Sequence, residues 1–321
     1  TQPVRYVWFN DDWTSTVGTI ITPWFDSTWG DDLNTDSKFN TVYAPPSIGD
    51  NFEVISRIDD GSTPFDGTQN KECYFFTYDS LNDGSDSITV DRWVNYLEAV
   101  VKQYGNSIDT LTIFAHSNGN PGNIIMSDNY KILSDPSLLN DPPTQQDQDY
   151  VQNIENELRK LRHDANTETK ILSERSTILL FVCNAGKDDV GKDFVRNLAN
   201  WTGAVVYANT EKTGETKKDG DLITTDWDLD VIGIPDTFFD SQDTNIYSLN
   251  ITKSEKKTVM LPNGVSIEIE EGDLDSDGVL TVKDVSDQYS NESDVLGAYD
   301  ISLSATITEG DFISVTIPFN G

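Results

Sequence analysis

Short, continuously apolar runs alternate with longer stretches of helical period over the first 235 or so residues, and this constrains the chain more than anything else in it. Residues 111–115 (Leu-Thr-Ile-Phe-Ala) and 177–182 (Thr-Ile-Leu-Leu-Phe-Val) are too short for helices and too evenly apolar for strands with one wet face. Such runs read as strands covered on both faces. Residues 4–9, 52–58, 73–78 and 204–208 read as further strands. Between them lie amphipathic helices. Asp91 can cap a helix running to Gln103, with Trp93, Leu97, Val100 and Tyr104 on one stripe and Gly105 as the stop. Val151, Ile154, Leu158 and Leu161 recur at helical spacing, and residues 188–201 turn Phe194, Leu198 and Trp201 inward before Gly203. Strand–helix alternation of this kind predicts an α/β fold: a mostly parallel sheet with helices on both faces and its chemistry in loops at the carboxyl ends of strands. Residues 10–50, rich in Trp, Gly, Pro and Asp without a clear period, read as an ordered excursion over the surface.

The pattern changes near residue 250. Residues 258–261, 265–269, 301–307 and 312–317 read as short strands around an Asp-rich loop. The expected organisation is therefore an α/β domain over 1–249 and a small β module over 250–321.

Charge narrows the partners. Fifty-five acids against 22 bases give a net charge of −33, so no basic face offers itself to nucleic acid phosphates. The excess keeps a surface soluble by self-repulsion or collects divalent cations. The longest apolar run, 177–183, is far below the roughly 20 residues of a membrane span. A first residue other than Met and three glycosylation-type triplets, at Asn200, Asn250 and Asn291, lead to the expectation of a processed protein outside the cell or on its surface.

Two apolar strands end in reactive side chains: 111–115 runs into His116-Ser117-Asn118-Gly119, and 177–182 into Cys183-Asn184-Ala185-Gly186. A thiol needs a neighbouring base to become a nucleophile, and an imidazole supplies one if the two strands are adjacent. The bland reading makes each an ordinary strand-end residue, and a Cys73–Cys183 disulfide would silence the thiol. A rival reading takes Ala115-His116-Ser117-Asn118-Gly119 as a nucleophile elbow with Ser117 attacking, which leaves His163 as the base.

The His and Cys blocks resemble the caspase-like cysteine peptidase clan. More closely, His116-Ser117-Asn118-Gly119 followed by Gly122, Cys183-Asn184, Trp201-Thr202-Gly203-Ala204-Val205-Val206, Thr213-Gly214 and Asp226-Trp227 resemble a bacterial caspase-like domain of unknown function found in large surface adhesins. The likeness covers roughly residues 75–230. It implies a caspase-like fold and a cysteine endopeptidase acting on protein or peptide. His116 would be general base and acid, Cys183 the acyl-forming nucleophile, and the N–H groups of Cys183 and Ser117 the oxyanion donors. Two departures stand out: Ser117 occupies a position where the clan usually has Gly, and Val182 replaces the Gly before the cysteine. The alternative is a self-assembling sheath, filament or surface-layer subunit on a catalytically silent caspase-like scaffold.

The segment 273–284 places Asp273, Asp275, Asp277 and Asp284 at positions 1, 3, 5 and 12, with Gly278 at 6. This is the oxygen-ligand spacing of a calcium loop. Val279 would add its carbonyl and Thr281 a water, so Ca2+ is the expected cofactor, with a structural role.

Overall fold

The computed structural model describes residues 4–9, 52–58, 72–78, 89–104, 107–115, 117, 120–127, 130–211, 215–218, 221–224, 229–239, 246–262, 264–286, 298–308 and 311–317. Apolar strands are its spine. In chain order the described strands are β1 (Val4–Phe9), β2 (Phe52–Ile58), β3 (Glu72–Tyr78), β4 (Ile108–Ala115), β5 (Asn123–Ser127), β6 (Tyr130–Leu133), β7 (Leu172–Val182) and β8 (Val205–Ala208). They continue with β9 (Glu215–Lys218), β10 (Asp221–Thr224), β11 (Val231–Gly233), β12 (Ile246–Ile251), β13 (Lys257–Met260), β14 (Ser266–Ile269), β15 (Gly278–Asp284), β16 (Tyr299–Leu303) and β17 (Ser314–Thr316). The central sheet has ten strands in the order β17-β14-β13-β11-β8-β7-β4-β1-β3-β2. The run β3-β1-β4-β7-β8 is parallel throughout, and the flanks are mixed. This is the α/β architecture the alternation predicts.

Among the described residues three α-helices pack on it: α1 (Val90–Tyr104), α2 (Gln145–Leu158) and α3 (Asp188–Thr202). The start of α2 is set by a capping box. Thr144 accepts from the Asp147 N–H, and Asp147 accepts from the Thr144 N–H at 2.7 Å, so two orphan donors of the first turn are satisfied at once. α3 stops at Gly203, whose φ of 69° is the left-handed conformation a side chain resists.

Alternation along the strands assigns the faces. Ile113, Ala115, Leu180, Val182, Val206 and Ala208 point to one side and share a core with α1, α2 and α3. Val205, Ile232, Val259 and Ile267 point to the other and meet Tyr247, Ile251, Leu280 and Val282 of a three-stranded sheet, β12-β15-β16. Of the expected helices on both faces, those on one face are seen among the described residues. The described helices lie on one face, and the second face is closed at its β8–β14 end by another sheet. At about 25 cal/mol per Å2, either cover buries apolar area equally well. Periodicity along one strand therefore does not say which kind of element lies opposite.

The division expected at residue 249/250 is not where the packing divides. β13 pairs in parallel with β11, β14 and β17 extend the same sheet, and one core holds Val205 and Ile232 together with Val259, Ile267 and Leu280. Strands rich in Val and Ile at the end of the chain complete a face that the earlier residues leave open. Residues 10–50 lie outside the described residues. No helix among the described residues is long and apolar enough to cross a membrane.

Candidate functional site

β4 and β7 are hydrogen-bonded neighbours, parallel, with Leu111 level with Ile178 and Ala115 level with Val182. Each strand therefore ends at the same height on the carboxyl edge of the sheet. Cys183 is the residue after Val182 and is half-buried. His116 is the residue after Ala115 and lies outside the described residues.

The turn after β7 is held from two sides. Asn184 adopts a φ of 58°, which Asn tolerates better than most side chains. Its N–H donates to the Glu211 carbonyl at 2.7 Å, and the Gly186 N–H donates to the Asn209 carbonyl at 2.9 Å. The Asn209 side chain accepts from the Glu211 N–H at 2.5 Å, so the segment after β8 is itself braced. From the opposite side, the Gly122 N–H donates to the Ala185 carbonyl at 3.2 Å. The Ser117 hydroxyl donates to the carbonyl of Cys183.

Ser117 is 1% exposed, with its hydroxyl committed to a backbone acceptor. That leaves it poorly disposed as an attacking group. His163, the base the serine reading needs, is at the wrong end of the molecule. It follows Arg162, which donates to the Asn200 carbonyl at the C-terminal end of α3, whereas Cys183 is near the N-terminal end. Fifteen residues of helix separate these ends by roughly 22 Å. The nucleophile-elbow reading is therefore incompatible with the geometry.

α3 brings its positive end to the turn. Its N-cap, Lys187, makes no side-chain capping bond, and Asp188 and Asp189 sit in the first turn where carboxylates complement the dipole. Gly191 permits the approach: a Cβ there would stand 2.5 Å from the Gly186 carbonyl carbon and 2.7 Å from the Ala185 oxygen.

Beside the turn opens a cleft of about 640 Å3 lined by Asn184, Lys187, Asp188, Lys192, Thr210, Glu211, Lys256 and Thr258. Its charges largely cancel. Lys192 is paired with Glu268 and Lys256 with Glu270 at 2.8 Å, and one further cation, Lys187, shares the lining with Asp188 and Glu211. The Thr258 hydroxyl is wholly buried and makes no hydrogen bond among the described residues. A polar group in that state costs on the order of 1–3 kcal/mol.

The thiol is not tied up with Cys73. The register carries Cys73 across Arg5 and Thr110 to Thr177, three strands from β7 and six residues short of Cys183. At about 4.8 Å per strand and 3.3 Å per residue the two are some 25 Å apart, well beyond the roughly 7 Å between Cα atoms that a disulfide spans.

The calcium spacing fares differently. Asp273, Asp275 and Asp277 lie on the turn before β15, but Val279, Thr281 and Asp284 are drawn out along that strand. Six residues of strand put Asp284 about 20 Å beyond Gly278, where one ion would need all its oxygens within about 2.6 Å. The local bonds are already assigned. Asp273 accepts from the Glu270 N–H at 2.8 Å, Asp277 from the Lys253 N–H at 3.0 Å, and Asp284 from the Ser286 N–H at 2.7 Å. The Val279 carbonyl accepts from the Ser304 N–H at 3.0 Å. Among the described residues no three carboxylate, imidazole or thiol groups converge on a cation site. The six residues do not fit the single cage that their spacing implies. The sequence reading gave Gly278 a loop's sharp turn, whereas the alternation of Leu280 and Val282 into the core makes 278–284 a strand.

Sequence reasoning missed Asn209, Glu211 and Thr258. The first two act on the turn through backbone groups, which no residue type announces. Thr258 reaches the cleft only because β13 pairs with β11. The one available signal is that Asn209 directly ends the apolar run of β8, as Cys183 ends that of β7.

No curated protein and no solved structure matches the chain. A family described as "Domain of unknown function (DUF4347)" matches residues 56–249, which include β4, β7, α3 and the turn that carries Cys183. The chain belongs to that family.

Proposed function

We propose that this protein is a caspase-like cysteine endopeptidase working outside the cell or on its surface, with Cys183 as nucleophile and His116 as its base. The observation that carries the reading is the parallel register of Ala115 with Val182, after which the two reactive residues follow on neighbouring strands. The adjoining cleft supports it.

In this reading His116 takes the thiol proton as the sulfur of Cys183 adds to the scissile carbonyl carbon. The carbonyl oxygen becomes an oxyanion that the N–H groups of Cys183 and Ser117 stabilise. Collapse breaks the C–N bond, and the imidazolium returns its proton to the leaving amine. Water, deprotonated by the same imidazole, then releases the acyl group and regenerates the thiol. Incubation with a diverse quenched peptide library tests this beside Cys183→Ala. Cleavage that vanishes in the variant is expected, and cleavage that persists in it, or its absence from both, overturns the reading.

A second reading, a self-assembling surface subunit with a silent site, draws on a different observation. β17 is an edge strand, and Phe312, Val315 and Ile317 on and beside it are 73%, 46% and 72% exposed. An apolar open edge of this kind favours pairing with a further strand. Sedimentation velocity of the wild type beside Val315→Lys separates the two, the assembling subunit showing concentration-dependent growth that the lysine abolishes.

A further inference from the structure

The two bonds that converge on the peptide unit between Cys183 and Asn184 act as a clamp. Its carbonyl accepts from the buried Ser117 hydroxyl, and its N–H donates to the Glu211 carbonyl at 2.7 Å. In a trans peptide these two groups point in opposite directions, so one plane is gripped at both ends. The two grips come from different strands of the sheet. Ser117 follows β4 and Glu211 follows β8, with β7 and its turn between them. The plane they hold sets Asn184 at a φ of 58°, a left-handed conformation that costs most side chains and Asn less. Rotation of that plane would release the left-handed conformation and swing the Cys183 backbone that aims the thiol.

We propose that Ser117 is a positioning residue: its hydroxyl, opposed by the Glu211 carbonyl, locks the Cys183–Asn184 peptide plane and thereby fixes the direction of the thiol. This deepens the peptidase reading, but the clamp can be measured without it. It also gives a role to a side chain at a position where the resembling clan needs none. In this protein the serine side chain takes the Cys183 carbonyl.

The test follows amide hydrogen exchange and thiol alkylation in a Cys73→Ala background. Ser117→Ala removes the donor and keeps the Cβ. The Asn184 amide is expected to exchange about five- to tenfold faster, the factor that loss of one buried hydrogen bond gives. The amides of β4 and β7 should be unchanged, and iodoacetamide should react with Cys183 at an altered rate. Ser117→Thr, which keeps a hydroxyl, should restore both. Should the threonine not fit the buried site, Asn184→Gly in the Ser117→Ala background serves instead. It lowers the cost of the left-handed conformation and should recover part of the protection. Wild-type exchange at Asn184 in Ser117→Ala overturns the proposal, as does equal acceleration across β4 and β7, which marks general loosening. If the peptidase reading fails, the exchange result still stands. If it holds, Ser117→Ala should lower kcat with little change in KM.

Discussion

Gly191→Ala is the perturbation whose outcome the structure fixes most sharply. On an isolated helix this change is favourable by about 1 kcal/mol, because alanine loses less backbone entropy than glycine. Here the added methyl would stand 2.5 Å from the Gly186 carbonyl carbon and 2.7 Å from the Ala185 oxygen, about 0.9 Å short of ordinary contact with the first. Both are backbone atoms, so no rotamer change relieves the clash, and α3 or the turn must move. The turn resists, since the Gly186 N–H and the Ala185 carbonyl are both bonded to neighbouring segments. Overpacking of this sort costs roughly 1–3 kcal/mol, with the upper half apt for backbone contacts, so the balance is a loss of about 1–2 kcal/mol. For a chain of this size that lowers Tm by roughly 1.5–3 °C in a calorimetric scan. The same displacement reaches Cys183, so its alkylation rate should change in the variant. A Tm at or above that of the wild type would refute the reasoning, because helix propensity would then outweigh a contact that is not tight.

Thr144 holds the Asp147 carboxyl below its usual range through its hydroxyl first and its N–H second, with the Asn140 amide adding to them. A carboxyl depressed on folding stabilises the fold above its unfolded value near pH 4 and loses that contribution as pH falls through the lower folded value. Urea midpoints from pH 6 to pH 2 should therefore fall less steeply in Asp147→Asn than in the wild type, and Thr144→Ala should cost about 1 kcal/mol at neutral pH. Asp284→Ala should leave the Tm difference between calcium and chelator the same as in the wild type, because the residue lies far along β15 from Asp273. A difference present in the wild type and lost in the variant would restore the twelve-residue cage.

The sequence read the spine of the fold well where one residue pattern had one structural solution. The runs at 4–9 and 52–58 are strands with those bounds, and 73–78, 111–115, 177–182 and 204–208 are the apolar centres or ends of β3, β4, β7 and β8. The helix expected from Asp91 runs from Val90, and the one expected from Asp188 begins there. Legibility failed at the hairpin β5–β6, for which no strand was expected, and along β15, where Asp residues at alternate positions on the turn before it satisfied a metal template and hid a half-buried strand. At the site, Cys183 and the strand ends were visible as residue types. The grip of Ser117 and Glu211 on the peptide unit between them was not, because it joins a side chain and backbone groups from the segments that follow three different strands.

The sequence alone therefore determined the apolar strands of the parallel run and the helices between them, and that two of those strands end in reactive side chains. Periodicity and short-range steric preference settle those questions within a few residues. Only the tertiary structure decided strand order, and with it that Ala115 stands level with Val182 and that the last strands finish the sheet of the first. It also decided that the Asp-rich spacing is pulled open by pairing with β12 and β16. Hydrogen bonding between strands is indifferent to side-chain identity. Their order is instead chosen by the sum of all buried surfaces, a quantity no single segment carries.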